Sequence, residues 1–361
     1  MISLKATATT GLVLSTLIAA GVALAAPAGS ATVLFAGGTS GTLGRLIPDD
    51  LFGTRASFLG GAYSGDEFSV VDYPASLWPI TGLCDPAIGT SVDIGTAHLI
   101  AAVKSTPGPL VVAGVSQGAM VVQDAAAVLN EDPTVPSSTT FIIIGDPNLG
   151  AGKGLYGITL PILDYTPRPL PETRFSTLVI VNEYDGWADP IAHPWNLLTG
   201  LNALMALIYV HPYAHNSDLS TVPPQNVVTV TNGQGGTTST YFVPTEQLPL
   251  TIPLRQLGLP AEFVDGVDDV LRPIIDAGYD RAPTAGPVAT TGKRPTAVGA
   301  VSRRLRETPT AASRPLDGGT GNAPQIARTP RRDGPAAPAT ASARTADSSS
   351  RPVAAGRSGR R

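Results

Sequence analysis

Cysteine is nearly absent from this sequence. Its 361 residues include one, Cys84, so an intramolecular disulfide is excluded and the fold must be stabilised by its apolar core. Cys84 lies in the turn-like stretch Leu83-Cys84-Asp85-Pro86, with no histidine nearby. We therefore interpret Cys84 as a buried or incidental thiol and not as a nucleophile.

Histidine is also scarce, with four residues in the whole chain. No His-x-x-x-His or His-Glu-x-x-His pattern precedes the last pair, and Pro212 breaks the helical face that His211 and His215 would need as metal ligands. The glycine-rich residues 37–41 lack the Lys-Ser/Thr ending of a phosphate-binding P-loop. We therefore expect no metal, no other cofactor and no nucleic-acid partner.

Charge is scarce and unevenly distributed. Residues 286–361 contain 14 basic and four acidic residues, no Phe, Tyr or Trp, and many Pro, Ala and Arg residues, whereas the rest of the chain is acidic. A segment of this composition cannot bury enough apolar surface to offset its ordering entropy. We expect a disordered basic tail over 286–361. It would contact an acidic cell envelope, a membrane surface or the acidic body of its own protein, or remain solvated.

The N-terminus has the pattern of a signal peptide. Lys5 is the one charged residue before an apolar stretch over 11–24, and small residues follow it. We expect a signal peptide over 1–28 and a secreted or envelope-associated protein. A retained anchor is the alternative, although the apolar stretch is shorter than the roughly 20 residues that span a bilayer.

Residues 29–285 have the composition and length of one α/β domain. Short Val/Ile/Leu-rich runs alternate with helical patterns: strands are predicted over 31–36, 68–72, 110–115, 141–145 and 178–183, and helices over 91–104 and 117–129. Continuous apolar strands alternating with helices indicate a mostly parallel, doubly wound sheet covered on both faces.

The pattern changes after residue 183. Residues 194–210 predict an apolar helix, interpreted either as a core helix or as a lid-like insertion over a lipid site. A glycine-containing turn predicts a hairpin between strands over 227–231 and 239–243. Residues 251–279 predict a closing helical segment with several prolines.

The strongest chemical signal is Gly114-Val115-Ser116-Gln117-Gly118. It joins a predicted buried strand directly to a predicted helix, which is the context of a nucleophile elbow, with Ser116 at the carboxyl end of the sheet. The alternative is a serine that merely caps the following helix. We predict that Ser116 is a nucleophile in an α/β-hydrolase fold.

A serine nucleophile needs a base and an acid, in the chain order Ser, Asp or Glu, His. His98 precedes Ser116 and is interpreted as structural, which leaves the histidines at 193, 211 and 215. Asp189 and Asp185 follow the predicted strand 178–183, and the Gly-x-x-Asp pattern favours Asp189, with Asp185 as the alternative. Asp146, one strand earlier, is a third candidate.

The developing oxyanion needs two backbone N–H groups. One is predicted to be that of Gln117, directly after the nucleophile, and the other to come from the loop after the first strand, Gly37-Gly38-Thr39-Ser40-Gly41.

From about residue 33 to 281 the chain resembles the PE-PPE-domain serine hydrolases of mycobacteria, which are cutinase-like α/β hydrolases. The matching blocks, in order, are Gly38-Thr39, residues 114–119, Gly145-Asp146-Pro147-Asn148, residues 184–189, Asn196-Leu197-Leu198, residues 201–204, Tyr209-Val210-His211, residues 241–245 and Leu248-Pro249-Leu250. The loop after the acid departs from the family, since Pro190-Ile191 stand where Phe-Pro is usual.

The resemblance implies Ser116 as nucleophile, an acid from residues 184–189 and His211 as base, with Thr39 as the counterpart of the Ser or Thr in the oxyanion loop of cutinases. It implies a secreted esterase or lipase-like hydrolase acting on acyl esters. One alternative is an acyltransferase that moves fatty acyl groups between trehalose-based envelope lipids. A second is a non-catalytic, envelope-associated binding protein.

Overall fold

The computed structural model of this protein describes residues 31–44 and 55–281. The predicted signal peptide (1–28) and the predicted basic tail (286–361) lie outside the described residues. What is described is the predicted globular domain apart from its two ends and residues 45–54.

A seven-stranded sheet forms the centre of the domain. Its strands are β1 (Thr32–Ala36), β2 (Glu67–Val70), β3 (Leu110–Val115), β4 (Thr140–Ile144), β5 (Ser176–Asn182), β6 (Val227–Thr231) and β7 (Thr237–Val243). They lie in the order β2-β1-β3-β4-β5-β7-β6, and each neighbouring pair is parallel except β6 with β7. The antiparallel pair is the predicted hairpin, which is confirmed.

Helices lie between and after these strands. They are α1 (Gly41–Gly44), α2 (Ile88–Ser105), α3 (Gln117–Asn130), α4 (Leu197–Tyr209), α5 (Ile252–Gln256) and α6 (Ala261–Asp276), and a 3₁₀ segment, His211–Asn216, follows α4. In the described part of the chain no helix combines the length and the apolar character needed to cross a bilayer.

The two faces of the sheet bury separate apolar clusters because successive side chains of a strand point to opposite faces. On one face Leu34, Val112 and Ile143 pack with residues of α2 and α3. On the other face Val33, Val111 and Ile142 pack with residues such as Phe58 and Ala214. Strands buried on both faces explain why the sequence shows continuous apolar runs here.

The strand order places a switch point between β1 and β3. The chain leaves β1 toward β2 on one side and later returns to β3 on the other side. In doubly wound sheets, ligands bind in the crevice at the carboxyl ends of the strands on either side of such a point. The predicted α/β-hydrolase fold is confirmed, and its predicted nucleophile and oxyanion loop follow the two strands at this point.

Helix α4 buries its small and polar residues and exposes four of its large apolar ones. Thr199, Asn202, Ala203 and Ala206 are buried, and Asn196 caps the helix by accepting from the Thr199 N–H. In contrast the large apolar side chains Leu197, Leu201, Leu204 and Ile208 are 50–77% exposed. One face of the helix thus belongs to a core cluster, through Ala206, Val210 and Leu198, and the other face is open to solvent.

Candidate functional site

Ser116 lies in the sharp turn between β3 and α3. Its backbone has φ 57° and ψ −119°, a combination unusual for a residue other than glycine, and its N–H donates to the Ile144 carbonyl of β4 at 2.9 Å. The side chain is partly exposed at the carboxyl edge of the sheet, whereas β3 is buried throughout. This is the strand–turn–helix geometry of a nucleophile elbow.

The glycines that flank this turn are required for space. A Cβ on Gly114 would clash with the Gly118 carbonyl, and a Cβ on Gly118 would clash with the Ala36 carbonyl of β1. Helix α3 can therefore begin directly against β1 and β3 only because both positions lack a side chain.

The glycine-rich loop after β1 lies beside the serine. A Cβ on Gly38 would come within 3.3 Å of the Ser116 Cβ, so the loop backbone approaches the nucleophile as closely as a backbone can. The next residue, Thr39, is exposed, and its hydroxyl accepts from the Gln117 side-chain amide at 3.1 Å. The structure thus brings together Gly38, Thr39, Ser116 and Gln117, as the sequence predicted.

The Gln117 side chain is a fixed strut between three segments, which the sequence analysis missed. It is 1% exposed, donates to the Thr39 hydroxyl and the Ser76 carbonyl, and accepts from the Ser91 hydroxyl of α2 at 2.8 Å. The Ser91 hydroxyl also accepts from the Ser76 N–H. These contacts hold the loop after β1 against the start of α3. Because they join residues 26 to 78 positions apart, no local sequence pattern predicts them.

His211 directly follows α4 and is bound by the carboxylate of Asp185. The His211 Nδ1 lies 2.9 Å from Oδ1 and 2.8 Å from Oδ2 of Asp185. Asp185 is fully buried, and its Oδ1 also accepts from the Trp187 and Ala188 N–H groups of the same loop. Hydrogen bonds within its own loop therefore fix the orientation of the carboxylate that contacts the imidazole.

This contact determines which imidazole nitrogen is available. A carboxylate accepts hydrogen bonds, so Nδ1 of His211 carries the proton and Nε2 keeps its lone pair. Among the described residues Nε2 has no hydrogen-bond partner although it is buried. A buried acceptor without a partner is costly in a folded protein and calls for an explanation, of which a catalytic role is one.

Gly145, directly after β4, lies against the His211 imidazole and the Asp185 carboxylate. Its φ is +61°, and a Cβ there would lie 3.2 Å from His211 Cε1 and 3.3 Å from Asp185 Oδ2. The residue before it, Ile144, accepts from the Ser116 N–H. Two consecutive residues thus lie against the site: Ile144 binds the Ser116 N–H, and Gly145 lies close to His211 and Asp185.

Asp189, the acid that the sequence favoured, does not contact His211. Its Oδ2 accepts from the Tyr184 N–H at 2.8 Å and from the Arg281 guanidinium. Burial raises the pKa of Asp189, although the charge of Arg281 opposes this. The preference for Asp189 over Asp185 is thus corrected. Arg281 binds Asp189, and the carboxylate that binds the imidazole is that of Asp185.

Arg281 lies at the centre of a charged cluster behind this loop. Besides Asp189 it binds Glu183 at 3.0 Å and Asp276 of α6 at 3.2 Å, and its guanidinium stacks on the Tyr184 and Tyr279 rings at 4.7 and 4.1 Å. Glu183 and Asp189 flank Asp185, so this cluster fixes both ends of the loop that carries it.

The remaining candidates lie elsewhere. Asp146 is buried, one oxygen accepts from the Asn148 N–H, and burial raises its pKa to about 7.

The other three histidines have other neighbours. His98 contacts the Asp72 carbonyl, His193 pairs with Asp280, and the His215 ring lies near Phe35. Cys84 is exposed, so it is not a buried thiol. Among residues 31–44 and 55–281, no three Asp, Glu, His or Cys side chains group as metal ligands would.

Comparison with known families places this geometry in context. The sequence model described as PE-PPE domain matches residues 64–280, which include Ser116, Asp185, Asp189 and His211.

Individual relatives carry names from acyl-ester chemistry. The chain is 45% identical over 219 residues to the SL1278 acyltransferase Chp1 of Mycobacterium tuberculosis (strain ATCC 25618 / H37Rv), covering 59% of this chain and 54% of the relative. From the same organism, the diacyltrehalose acyltransferase Chp2 is 36% identical (59% and 65% covered) and the esterase PE16 is 32% identical (61% and 43% covered). The chain spans about half the length of Chp1.

Proposed function

The chain belongs to the PE-PPE domain family, and we propose that it is a serine enzyme that removes acyl groups from lipid esters through a covalent intermediate on Ser116. The observation that carries the proposal is the contact of both Asp185 oxygens with His211 Nδ1. This contact leaves Nε2, the proton acceptor that a serine nucleophile needs, buried and without a partner among the described residues.

The first half of the reaction forms the acyl-enzyme. His211 Nε2 takes the Ser116 hydroxyl proton as Oγ attacks the ester carbonyl carbon. The tetrahedral intermediate then expels the alcohol, which leaves with the proton from Nε2. Asp185 accepts from Nδ1 throughout and stabilises the imidazolium that forms between the two transfers.

The oxyanion is held by the loop after β1 and the start of α3. The Gln117 N–H is at the first position of α3, where backbone donors lack intrahelical acceptors. The backbone around Gly38 and Thr39 supplies the second donor, at the closest approach to Ser116. The Gln117 side chain positions both parts, because it bonds to Thr39 from the residue that directly follows the nucleophile.

The second half of the reaction restores the serine. A water or an alcohol gives its proton to His211 Nε2 and attacks the acyl carbon, and the bond to Ser116 Oγ breaks as Oγ regains that proton. Hydrolysis is the simplest outcome, and it matches the activity named for the relative PE16. We place the enzyme outside the cell or at its envelope, in accordance with the signal-peptide pattern.

Transfer to a sugar hydroxyl is a second candidate, supported by the names of two relatives. Chp1 and Chp2 are both named as acyltransferases, and Chp2 is named for diacyltrehalose. The same acyl-enzyme serves both outcomes, so the competition between water and acceptor in the second half decides between them.

Release of a chromophoric alcohol from a short-chain ester tests the proposal. We expect wild-type turnover, with losses of at least about a thousandfold in Ser116→Ala and His211→Ala. His215→Ala is the matched control for the base and should keep most of the activity. If folded wild-type protein has no turnover on esters of any chain length, with or without a trehalose acceptor, the non-catalytic alternative is correct. Analysis of products made with a trehalose-lipid acceptor, as free acid or acylated acceptor, separates hydrolysis from transfer.

A further inference from the structure

All the tryptophans of the chain are exposed, and all lie on connections that leave the carboxyl ends of parallel strands. Trp78 follows β2, and Trp187 and Trp195 follow β5; they are 41%, 41% and 75% exposed. Tryptophan is on average among the more buried residues of a folded protein. Its exposure at the edge of the sheet where Ser116 lies therefore needs a reason.

Other large apolar side chains are exposed on the same connections. We define the apolar rim by its members: Trp78, Ile80 and Leu83 after β2; Leu155, Tyr156, Ile158 and Ile162 after β4; and Trp187, Trp195, Leu197, Leu201, Leu204 and Ile208 after β5, each at least 36% exposed. Backbone hydrogen bonds join the three connections, from Gly89 N–H to the Leu163 carbonyl and from Ala151 N–H to the Trp187 carbonyl. The three connections that carry the rim therefore contact one another.

Three stretches that carry most of the rim contain no charged residue, although the exposed Lys153 and Asp164 border the middle stretch. Residues 77–84, 154–163 and 190–210 contain no Asp, Glu, Lys or Arg, although 14% of the whole chain is charged. The surface of a soluble monomer normally carries charged side chains between its apolar ones. The exposed apolar residues Phe263 and Val270 of α6 follow this rule, because Glu262, Asp265 and Asp269 are exposed beside them.

The longest element of the rim, α4, is continuous with the candidate active site. It packs on Gly186, where a Cβ would lie 2.9 Å from the Leu207 Cδ2 atom, and so it contacts the residue next to Asp185. Its last turn leads through Val210 directly into His211. Ile208 and Leu204 lie about one and two helical turns before the base, and Leu201 and Leu197 about three and four.

We propose that the apolar rim docks the protein on the surface of an aggregated lipid, so that the acyl substrate passes from that phase to Ser116. The proposal rests on the proposed function for its substrate. The placement of tryptophan favours a lipid surface, because this residue prefers the boundary between water and lipid. The uncharged stretches favour it too, since a charge entering a lipid interface costs free energy that a protein partner's opposite charge would offset.

Vesicles of zwitterionic phosphatidylcholine test the docking directly in the full chain. Zwitterionic lipid gives the basic residues 286–361 no net charge to bind. Because every tryptophan is on the rim, we expect the intrinsic emission to shift to shorter wavelength on binding and to be quenched when the lipid chains are brominated. Binding of the N-terminal apolar stretch alone would leave both signals unchanged and would contradict the proposal.

Paired variants locate the surface. Leu201→Glu with Leu204→Glu should weaken vesicle binding by at least about tenfold. The matched control is Val128→Glu with Val230→Glu, on α3 and β6, where the wild-type residues are 55% and 60% exposed against 50% and 56% for the two leucines. The control should bind within about twofold of wild type. If the charged pair does not give the wild-type circular dichroism spectrum, the milder pair Leu201→Ser with Leu204→Ser replaces it.

Two outcomes overturn the docking. Equal binding of the rim pair and the control pair contradicts it, and so does an emission shift that depends on protein concentration without lipid, since that result means a dimer covers the rim.

Measuring Ser116→Ala in parallel separates this proposal from the enzymatic one. Ser116→Ala that binds vesicles like wild type supports docking whether or not wild type hydrolyses esters. Wild type that hydrolyses a soluble ester but does not bind vesicles refutes docking alone.

Discussion

Asp189 binds Arg281, although it lies only four residues beyond Asp185, the carboxylate that binds His211. The two acids face opposite sides of one loop. Asp185 accepts from N–H groups inside the loop and points to the imidazole, whereas Asp189 joins the cluster of Arg281, Glu183 and Asp276 behind it. In our proposal Asp185 serves the chemistry and Asp189 holds the loop.

We predict that Asp185→Asn and Asp189→Asn have different effects. Asp185→Asn should lower kcat by about a thousandfold to ten-thousandfold with little change in Tm, because an amide cannot stabilise the imidazolium. Asp189→Asn should lower Tm by several degrees and kcat by less than about tenfold, because it leaves the buried Arg281 partly unpaired. Ester turnover and thermal unfolding of the two proteins check this, and a larger kcat loss in folded Asp189→Asn would contradict the assignment.

Substituting Gly145 should damage catalysis more than stability. In Gly145→Ala the new Cβ would approach His211 Cε1 and Asp185 Oδ2, at a residue whose φ is +61°. A displaced imidazole should cost on the order of tenfold to a hundredfold in kcat, and the backbone conformation about 1 kcal/mol in stability.

The control for this variant is Gly154→Ala, since a Cβ there meets nothing within 4 Å and its φ is ordinary. Both proteins are assayed for ester turnover and denaturant unfolding. Equal activity of the two alanine variants would show that the imidazole does not depend on the space at Gly145.

The buried Asp146 should make stability depend on pH. Burial raises its pKa from 3.8 to about 7, with the charge of Asp124 adding to the effect. The folded protein therefore binds this proton more tightly than the unfolded chain does. The stability that protonated Asp146 contributes is fully present below pH 4 and is lost as pH rises through about 7.

Asp146→Asn removes this titration and keeps an acceptor for the Asn148 N–H. We expect the stability of the variant relative to wild type to rise between pH 4 and pH 8, by up to about 4 kcal/mol. Denaturant unfolding at both pH values measures the difference. A constant difference between the two proteins across this range would mean that Asp146 does not titrate with folding.

The sequence predicted those parts of the fold and site that depend on local pattern. The strand 110–115, the turn at Ser116 and the helix after it follow one another without a gap, and the space required at Gly114 against the Gly118 carbonyl is a local constraint. The hairpin of β6 and β7 was predictable for the same reason, since its turn residues lie between its strands.

Long-range contacts decided what the sequence left open. The choice between Asp185 and Asp189 depends on Arg281, which lies 92 residues beyond Asp189. The strut from Gln117 to Thr39 spans 78 residues. The exposed leucines of α4 have the spacing of a buried helix face, so periodicity alone predicts core at positions that the structure leaves open to solvent.

The most direct test of the account is covalent labelling by a fluorophosphonate, followed by intact mass and peptide mapping. The probe reacts with a serine only when a base and an oxyanion site activate it. We predict one adduct per chain, on Ser116, formed by wild type and by His215→Ala, with labelling lost in Ser116→Ala and strongly slowed in His211→Ala and Asp185→Asn. Labelling that persists in Ser116→Ala, or no labelling of folded wild-type protein, would contradict the central claim.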